Sequence, residues 1–379
     1  MYVGIFITLA IIICCFFCYR YGDIFLKYFY KIFHDTERKH PDYKKAEEAL
    51  LDFIEINMTG EEDGIISFIK NHKPVNEVLS ESVGFFMQYC VKRNRKDMFD
   101  RQLAFLKKRM LVDGKFIKWK TGDEEGTCNN AIDDFRIVRA LLEAYDKWQD
   151  KEYYNLAGCI QQGIYETQVE DFKLYEFYDW KSNSSRKNIP LSHIDLYALD
   201  KLRHFNNDWS LLADRMLPVI TGGRFGNFSI FFFKYYDYAD GKYLADEEYS
   251  RYRGICLKYT LYTVIHLAEF DQDTKSFAQW LKDEINKGKL YAWYNPDTLK
   301  PSNRIESTSV YALAAIYAKS IGENELYYKL IDSMLNLMIK NENSPYYGGF
   351  GSKKKGKFCS FDNLTALYAL SLRDENKEH

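Results

Sequence analysis

The sequence predicts an all-α protein built as a closed ring of six helix pairs. Six segments place a small polar or charged residue just before an apolar run of helical period, which is typical of a helix start. The intervals between successive segments are 53, 61, 58, 56 and 53 residues, counted between Glu81, Asp134, Asp195, Arg253, Ser309 and Asp362. Each interval accommodates two helices and their loops, and six such repeats favour a closed ring.

This ring predicts where the functional site lies. If alternate helices line the ring, their N-termini collect at one end. That end becomes a bowl of polar side chains, helix-start amides and carboxylates on an apolar scaffold. We therefore expect the chemistry of the protein at the starts of the six inner helices.

The N-terminal segment is apolar. Residues 3–19 carry no charge and are just long enough for a membrane-spanning helix. They have no basic region before them, no small-residue cleavage site and no lipobox-like sequence, which favours an uncleaved anchor over residues 1–19. Residues 20–40 are aromatic and basic and are predicted to lie along the membrane surface. Arg20, Lys27 and Lys31 would by the positive-inside rule leave the large domain in the cytoplasm.

Residues 41–372 are predicted to form one helical domain, because no Pro-, Gly- or Ser-rich linker interrupts them. The apolar spacing predicts a first helix over 44–56, an inner helix over 81–91 and its outer partner over 96–110. Short stretches of strand character are predicted to form loops and small hairpins above the bowl, at 115–120, 172–180 and 228–238. Residues 373–379 are predicted to be a frayed tail.

Composition narrows the function classes. The net charge is −2 with acids and bases interspersed, which argues against a nucleic-acid partner. The 31 Tyr and 27 Phe provide flat faces that stack on sugar rings, although an AT-rich genome would also enrich both residues. The 8 Cys and 7 His show no metal-ligand spacing, so we predict neither a metal nor another cofactor.

Two helix starts carry acids of catalytic interest. Glu81 opens an apolar helix beside Phe85 and Phe86, where burial would raise the pKa of its carboxyl, as a glycosidase acid requires. The alternative is an acid that only completes a helix cap. Asp133 and Asp134 open a second inner helix, where one acid could hold a sugar hydroxyl or both could simply cap the helix.

A run of glycine and lysine near the C-terminus suggests a different chemistry. Residues 351–357 (GSKKKGK) nearly match the spacing of a phosphate-binding loop, but Phe358 occupies the place of the Ser or Thr hydroxyl. The strand and helix that flank such a loop are also not predicted here. We interpret the run as a solvated basic loop rather than a nucleotide site.

Several segments together resemble glycoside hydrolase family 8, particularly its membrane-associated branch in Gram-positive exopolysaccharide systems. They are 79–87 (LSESVGFFM), 116–119 (FIKW), 130–148, 190–202 (PLSHIDLYALDKL), 306–313 (ESTSVYAL) and 360–370 (SFDNLTALYAL). The resemblance implies an (α/α)6 toroid, a six-hairpin barrel, that cleaves β-1,4-linked glycans with inversion. It places Glu81 on the general acid and Asp134 on the acid that contacts the sugar at the cleavage subsite.

The sequence departs from the family pattern at the catalytic base. The family pattern Tyr-Asp-Ala-x-Arg is nearest to Tyr249-Ser250-Arg251-Tyr252-Arg253, with Ser in the position of the base. An inverting mechanism needs a second carboxylate about 6.5–9.5 Å from the acid. We predict Asp237 as the substitute, with Asp240 a turn residue and Asp246 a helix-entry acid.

The resulting hypothesis is a membrane-anchored, endo-acting glycosidase that trims an exopolysaccharide. Trp119, Tyr178 and Tyr236 are predicted to stack on the sugars. The main alternative is a catalytically inactive glycan-binding subunit of a polysaccharide synthesis or export complex, motivated by Ser250. A toroid for lipid or isoprenoid chemistry is a third possibility, without a metal or diphosphate motif to support it. The resemblance implies an extracellular domain, against the charges that follow the anchor.

Overall fold

The computed structural model describes residues 41–374, and this part of the chain is mainly helical. Its α-helices are α1 (Tyr43–Asn57), α2 (Ser80–Lys92), α3 (Lys96–Phe105), α4 (Ala131–Trp148), α5 (Lys151–Gln168), α6 (Leu196–Lys201), α7 (Asp208–Gly222), α8 (Tyr249–Tyr252), α9 (Leu257–Glu269), α10 (Lys275–Asn286), α11 (Thr308–Ser320), α12 (Asn324–Leu335) and α13 (Ser360–Ser371). Single turns of 3₁₀- or π-helix lie at Glu61–Asp63, Leu106–Met110, Leu191–His193 and Leu202–His204.

Six of these helices form a closed inner ring. Helices α2, α4, α6, α9, α11 and α13 contact one another in this order, and α13 contacts α2. Helices α3, α5, α7 and α12 pack outside the inner helices that precede them, and α10 contacts α12. The predicted ring of helix pairs is confirmed.

Burial distinguishes the two layers. The first eleven residues of α11, 308–318, are all buried, because helices surround it on every side. Outer helix α10 buries one stripe at helical spacing, which includes Phe277, Trp280, Leu281 and Ile285. An inner helix must therefore be apolar all round, whereas an outer helix needs only one apolar face.

One helix start differs from the sequence prediction. The fourth inner helix, α9, begins at Leu257 rather than near Arg253. Arg253 instead follows the short helix α8 with φ 51°, a left-handed conformation that ends a helix. The polar residues at 250–253 belong to this extra turn, which explains why their helix-start pattern predicted the wrong position.

Short strands fill the connections, as the sequence predicted. They are β1 (Phe68–Lys70), β2 (Lys73–Pro74), β3 (Glu77–Leu79), β4 (Leu111–Val112), β5 (Phe116–Ile117), β6 (Lys120–Gly122), β7 (Val169–Glu170), β8 (Lys173–Leu174), β9 (Tyr178–Asp179), β10 (Ser184–Ser185), β11 (Asn188–Pro190), β12 (Arg224–Phe225), β13 (Phe231–Phe232), β14 (Tyr235–Asp237), β15 (Lys242–Leu244), β16 (Ile255–Cys256), β17 (Trp293–Tyr294), β18 (Gly351–Ser352) and β19 (Lys357–Cys359).

These strands fix where inner helices begin. They form antiparallel pairs such as β3–β6 and β16–β17, a three-stranded sheet β11–β14–β15, and a four-stranded sheet in the order β18–β19–β1–β2. Strands β3, β16 and β19 lead directly into α2, α9 and α13. The ladders therefore hold the N-termini of the inner helices at one end of the ring.

The segment predicted to anchor the chain, residues 1–19, and the juxtamembrane segment, residues 20–40, lie outside the described residues. In the part that the structure describes, no helix has the length and apolarity needed to cross a membrane. The anchor stays a prediction from the sequence.

The end of the domain is better ordered than the sequence predicted. Arg373 and Asp374 were assigned to a frayed tail, yet Asp374 pairs with Lys319 at 2.6 Å. The guanidinium group of Arg373 binds Glu47 of α1, and Arg93 at the end of α2 donates two hydrogen bonds of 2.8 and 2.7 Å to the same carboxylate. One buried acid therefore ties the first helix to the last inner helix and to α2.

Replacing Glu47 by Ala should lower the free energy of unfolding by about 3 kcal/mol, because it removes the carboxylate that two buried guanidinium groups share. Urea denaturation measures this change. The matched control is Glu48→Ala, since Glu48 is the next residue of α1 and is exposed, and it should change stability by less than about 0.5 kcal/mol. Equal losses in the two variants would contradict the assigned role of Glu47.

Candidate functional site

Glu81 is positioned by the β3–β6 ladder. Leu79 pairs with Lys120 at the end of this ladder, and the amide of Ser80 donates a 3.0 Å hydrogen bond to the carbonyl of Trp119. Helix α2 begins at Ser80, so Glu81 is its second residue. Because the preceding strand is fixed, the Glu81 carboxyl has a defined place at the polar end of the ring.

The environment of Glu81 favours its protonated form. Burial of the carboxyl is the largest cause, followed by the negative charge of Asp133, and together with Asp362 these raise the pKa of Glu81 to about 7. The positive charges of Arg136 and Lys258 act in the opposite direction. The residue nevertheless keeps part of its surface accessible. Near neutral pH, Glu81 can therefore still hold a proton and present it to a ligand.

Asp133, in the first turn of α4, is the acid that the structure places beside Glu81. Its carboxylate accepts a 3.2 Å hydrogen bond from the Ser80 hydroxyl and a 2.7 Å hydrogen bond from Arg136. The Arg136 guanidinium lies 4.1 Å from the centre of the Phe85 ring and 3.4 Å from the Tyr262 hydroxyl. This buried ion pair joins α2, α4 and α9, and both of its charges act on Glu81.

A glycine allows α2 and α4 to approach closely at this pair. A Cβ atom added at Gly84 would lie 3.1 Å from Cδ of Arg136, tighter than most side-chain contacts. A side chain at position 84 would therefore require the Arg136 side chain to shift by a few tenths of an ångström. The Gly in the 79–87 segment therefore serves the ion pair as well as the packing.

Asp134 occupies a different environment from the one predicted. Its carboxylate accepts a 2.6 Å hydrogen bond from the amide of Asn129, which also donates to Gln168 of α5. Burial raises the pKa of Asp134 well above its usual value. Consecutive helical residues point about 100° apart, so only one of two adjacent acids can face the bowl. The structure brings Asp133, not Asp134, next to Glu81.

Asp237 closes its own hairpin turn. Its Oδ1 accepts hydrogen bonds from the amides of Ala239, at 2.8 Å, and Asp240, at 3.3 Å, between β14 and β15. The turn role predicted for Asp240 therefore belongs to Asp237. Ser250, at the family position of the base, is exposed on α8. The assignment of Asp237 as base stays a prediction.

The sequence predicts Asp362 only as a helix-start residue, yet its charge acts on Glu81. It lies in the first turn of α13, which contacts α2 in the ring. Its Oδ1 accepts a 3.0 Å hydrogen bond from the Ser309 amide of α11. Its sequence motif could have suggested it, but the helix phase that turns it toward Glu81 required the structure.

The three predicted sugar-stacking residues have different environments. Trp119 is 37% exposed, and its carbonyl accepts a hydrogen bond from the first residue of α2, so its backbone lies next to the start of that helix. Tyr178 is half-buried, packs against Phe116 at 5.3 Å and has its amide bound to Asn129. Trp119 and Tyr178 are both partly accessible.

Tyr236 is placed differently from the prediction. Its ring packs against the rings of Tyr238 and Tyr243. The Tyr238 hydroxyl donates a hydrogen bond to Sδ of Met216, and the Tyr243 hydroxyl donates one to the carbonyl of Val219, both in α7. Alternation along β14 puts Tyr235 on the opposite face, where its ring lies 4.8 Å from the ammonium of Lys234. Tyr236 therefore covers an outer helix, and its prediction as a stacking residue is not supported by the packing.

The bowl contains polar groups without protein partners. His193 is uncharged, because burial and the nearby charge of Arg136 lower its pKa to about 3, and its Nδ1 has no hydrogen-bond partner among residues 41–374. The same holds, within the described chain, for side-chain atoms of Asn130, Asn188 and Asn303. Buried polar atoms are normally satisfied in proteins, and hydroxyl groups of a ligand would satisfy these.

One cluster of described residues has the composition of a metal site. Ligand atoms of Asp195, His266 and Glu269 lie within 4.8 Å of one another. Arg139 donates hydrogen bonds of 3.0 Å to Asp195 and 2.9 Å to Glu269. This guanidinium supplies the positive charge that the two acids require, so the cluster has little to gain from a metal. The predicted absence of a metal stays a prediction.

Comparisons with known proteins agree with this architecture. No family model matches the sequence. The chain is 32% identical to YdaJ of Bacillus subtilis (strain 168), described as a candidate lipoprotein, over 294 residues, which are 77% of this chain and 78% of YdaJ. A novel α-amylase from Clostridium perfringens is 30% identical with a TM-score of 0.80, and the match covers 87% of this chain and 98% of the amylase.

A third comparison connects the fold with a named family. The endoglucanase Cel10 from Klebsiella pneumoniae, a family 8 glycosyl hydrolase, is 16% identical with a TM-score of 0.59, over 86% of this chain and 99% of Cel10. Its fold is that of our chain, and the quoted sequence segments resemble the same family. The chain belongs to glycoside hydrolase family 8. The role of Glu81 as general acid stays a prediction from the sequence resemblance.

Glu81→Gln should make the folded protein more stable above neutral pH. In the folded state the pKa of Glu81 is raised to about 7, whereas in the unfolded chain the carboxyl has its ordinary pKa of 4.5. Glu81 therefore lowers stability as pH rises between these values, by about 3 kcal/mol in full. The free energies of unfolding of Glu81→Gln and the unchanged protein, measured by thermal unfolding, should be equal at about pH 4. At about pH 8 the Glu81→Gln variant should be the more stable.

The control for this pH series is Glu48→Gln on α1, which is exposed and should follow the unchanged protein at every pH. A constant difference between Glu81→Gln and the unchanged protein across the pH range would contradict the raised pKa.

Proposed function

We propose that this family 8 protein hydrolyses glycosidic bonds of a polysaccharide bound across the bowl, with Glu81 as general acid. The observation that carries the proposal is the Glu81 carboxyl itself, which is partly accessible and has a pKa of about 7. A structural helix cap has no need of a proton at neutral pH, whereas a leaving sugar oxygen does.

The neighbouring groups support this role. Asp133 keeps a negative charge close to Glu81, which resists loss of the Glu81 proton until the leaving oxygen takes it. Arg136 holds Asp133 in place through two elements of the ring. Once the proton has been transferred, Arg136 and Lys258 stabilise the carboxylate that remains. Asp133 and Arg136 are therefore positioning residues in this mechanism.

Two carboxylates are candidates for the base that activates water. Asp237 is the residue predicted from the sequence, and its Oδ1 is engaged by its own turn. Asp362 lies on an inner helix adjacent to that of Glu81, and its charge acts on Glu81. First-turn carboxylates of neighbouring helices, whose axes are about 8–10 Å apart, suit the spacing of an inverting pair. We favour Asp362.

The identity of the polysaccharide and the linkage that is cleaved are part of the same proposal. The family resemblance favours internal cleavage, with inversion, of a β-1,4-linked exopolysaccharide. The named activity of the clostridial relative favours an α-linked glucan as a second candidate. Aromatic faces at Trp119 and Tyr178 accept either sugar. We propose further that residues 3–19 attach the enzyme to the membrane with the domain outside the cell.

Glu81→Gln should reduce kcat/KM by about 10³-fold while the glycan still binds, because the amide cannot supply a proton. Reducing-end release is measured on soluble β-glucan, xylan and soluble starch, which also identifies the linkage. Glu48→Gln should retain full activity. Unchanged turnover in Glu81→Gln would overturn the acid assignment. Glycan binding with no turnover by the unchanged protein on any of these polymers would favour the alternative, an inactive glycan-binding subunit.

Activity should fall as pH rises through about 7, since only protonated Glu81 can act as the acid. The basic limb of kcat/KM against pH should report this pKa. A basic limb displaced to about pH 9 or above would mean that another group supplies the proton.

Asp362→Asn and Asp237→Asn distinguish the two base candidates. The variant that removes the base should lose about 10²-fold or more in kcat, and added azide should restore turnover by replacing water as the nucleophile. We expect this behaviour for Asp362→Asn and near-normal kcat for Asp237→Asn. The reverse result would return the role to Asp237.

A further inference from the structure

The floor of the bowl contains a lysine whose charge has no protein partner. Lys258 lies in the first turn of α9 and is only partly exposed. Its ammonium lies 5.0 Å from the ring centres of Tyr259 and Phe361. It makes neither a hydrogen bond nor an ion pair with any described residue, unlike most buried charges.

Neighbouring groups do not neutralise this lysine directly. Asp133 is paired with Arg136, and the Oδ1 of Asp362 is held by the Ser309 amide. Glu81, whose pKa is raised to about 7, is largely protonated only below neutral pH and so offers Lys258 at most a partial negative charge at pH 7. The nearby Lys234 has its own acids, Asp246 at 3.4 Å and Glu247 at 2.9 Å. The protein thus provides partners for the other charges of the floor and leaves Lys258 unmatched.

A groove at the rim also contains cations without an acidic partner among the described residues. It has a volume of about 330 Å³ and is lined by Arg251, Tyr252, Arg253, Asn295, Lys300 and Ser302, among others. Arg251 pairs with Glu248 at 3.1 Å. The side chains of Arg253 and Lys300 are exposed and form no ion pair within residues 41–374. Two further cations are therefore available to a ligand.

The groove and the floor belong to one continuous wall. Arg253 is followed by β16, which pairs with β17 and leads directly into α9 with Lys258. Lys258 follows Arg253 by five positions, which limits the distance between their Cα atoms to at most about 18 Å. The ring of Tyr252 stacks on Trp293 at 4.4 Å and stiffens this wall. A glycan running from the groove to Glu81 would pass all three cations.

We propose that the enzyme binds an acidic polysaccharide, with Lys258 pairing with a sugar carboxylate next to the cleavage point and Arg253 and Lys300 pairing with carboxylates further along the chain. This inference rests on the proposed function and names the substrate class of the same site. A neutral glycan would leave the Lys258 charge partly desolvated without a counter-charge, whereas a uronate would supply one.

Calorimetry with the full-length Glu81→Gln chain tests the inference, since this variant cannot turn the ligand over. The probes are cellopentaose and its C6-oxidised, carboxylate-bearing form, and the same pair made from maltopentaose. The oxidised member of at least one pair should bind about tenfold or more tightly, equivalent to about 1.4 kcal/mol. Raising the salt concentration should reduce the difference in affinity between the oxidised and neutral probes, because the cations at the rim are exposed and salt screens their charges.

Variants at position 258 test whether Lys258 causes the tighter binding of the oxidised probe. Lys258→Met in the Glu81→Gln chain should abolish most of the preference for the oxidised probe, and Lys258→Arg should retain it. The matched control is Lys275→Met, an exposed lysine at the start of outer helix α10, which should leave the preference intact. Thermal unfolding verifies that each variant is folded, and Lys258→Arg provides the comparison if Lys258→Met is not.

Equal affinity for neutral and oxidised probes, or a preference that survives Lys258→Met, would overturn the inference. Its failure is distinguishable from failure of the proposed function. Cleavage of neutral glucan by the unchanged protein, with no preference for acidic probes, overturns only the acidic substrate. Selective binding of the oxidised probe, with no cleavage of any glycan, overturns the hydrolase and retains the inference.

Discussion

The buried pair of Asp133 and Arg136 is the interaction on which the site depends. It joins α2, α4 and α9, and it exists because Gly84 lets two inner helices approach closely. Removing either partner would leave one charge buried without the other, which costs several kcal/mol. The same pair fixes the electrostatic environment of Glu81. The packing of three inner helices and the electrostatic environment of Glu81 therefore depend on the same contact.

Two physical effects act on Glu81 in opposite directions, and their magnitudes decide the outcome. The helix dipole at the start of α2 stabilises a negative charge by about 0.3–1 kcal/mol, which would lower the pKa by less than one unit. Burial and the charge of Asp133 raise the pKa from 4.5 to about 7, a change of about 3 kcal/mol. Burial exceeds the dipole effect, so the carboxyl stays protonated where a structural acid at a helix start would ionise.

The periodic helix starts were sufficient to predict the ring and its polar end, because burying an apolar face against a neighbour leaves few ways to arrange six helix pairs. They also marked Glu81 as a candidate acid, and the family resemblance predicts its role as general acid. They could not separate Asp133 from Asp134, since one position along a helix turns a side chain by about 100° and the phase depends on packing. Likewise Tyr236 and Tyr235 differ only in strand face, which the sheet β11–β14–β15 determines.

The distribution of paired and unpaired charge separates scaffold from site. Around the cavity of about 60 Å³ that the inner helices enclose, Arg139 donates hydrogen bonds to both Asp195 and Glu269, so these two acids already have a counter-charge. At the helix N-termini the protein leaves Lys258, His193 and several amide groups without partners among the described residues. Stability alone would favour pairing or replacing these groups, because an unsatisfied buried polar atom costs about 1–3 kcal/mol. Their retention is understandable if a glycan bound in the bowl supplies the missing partners.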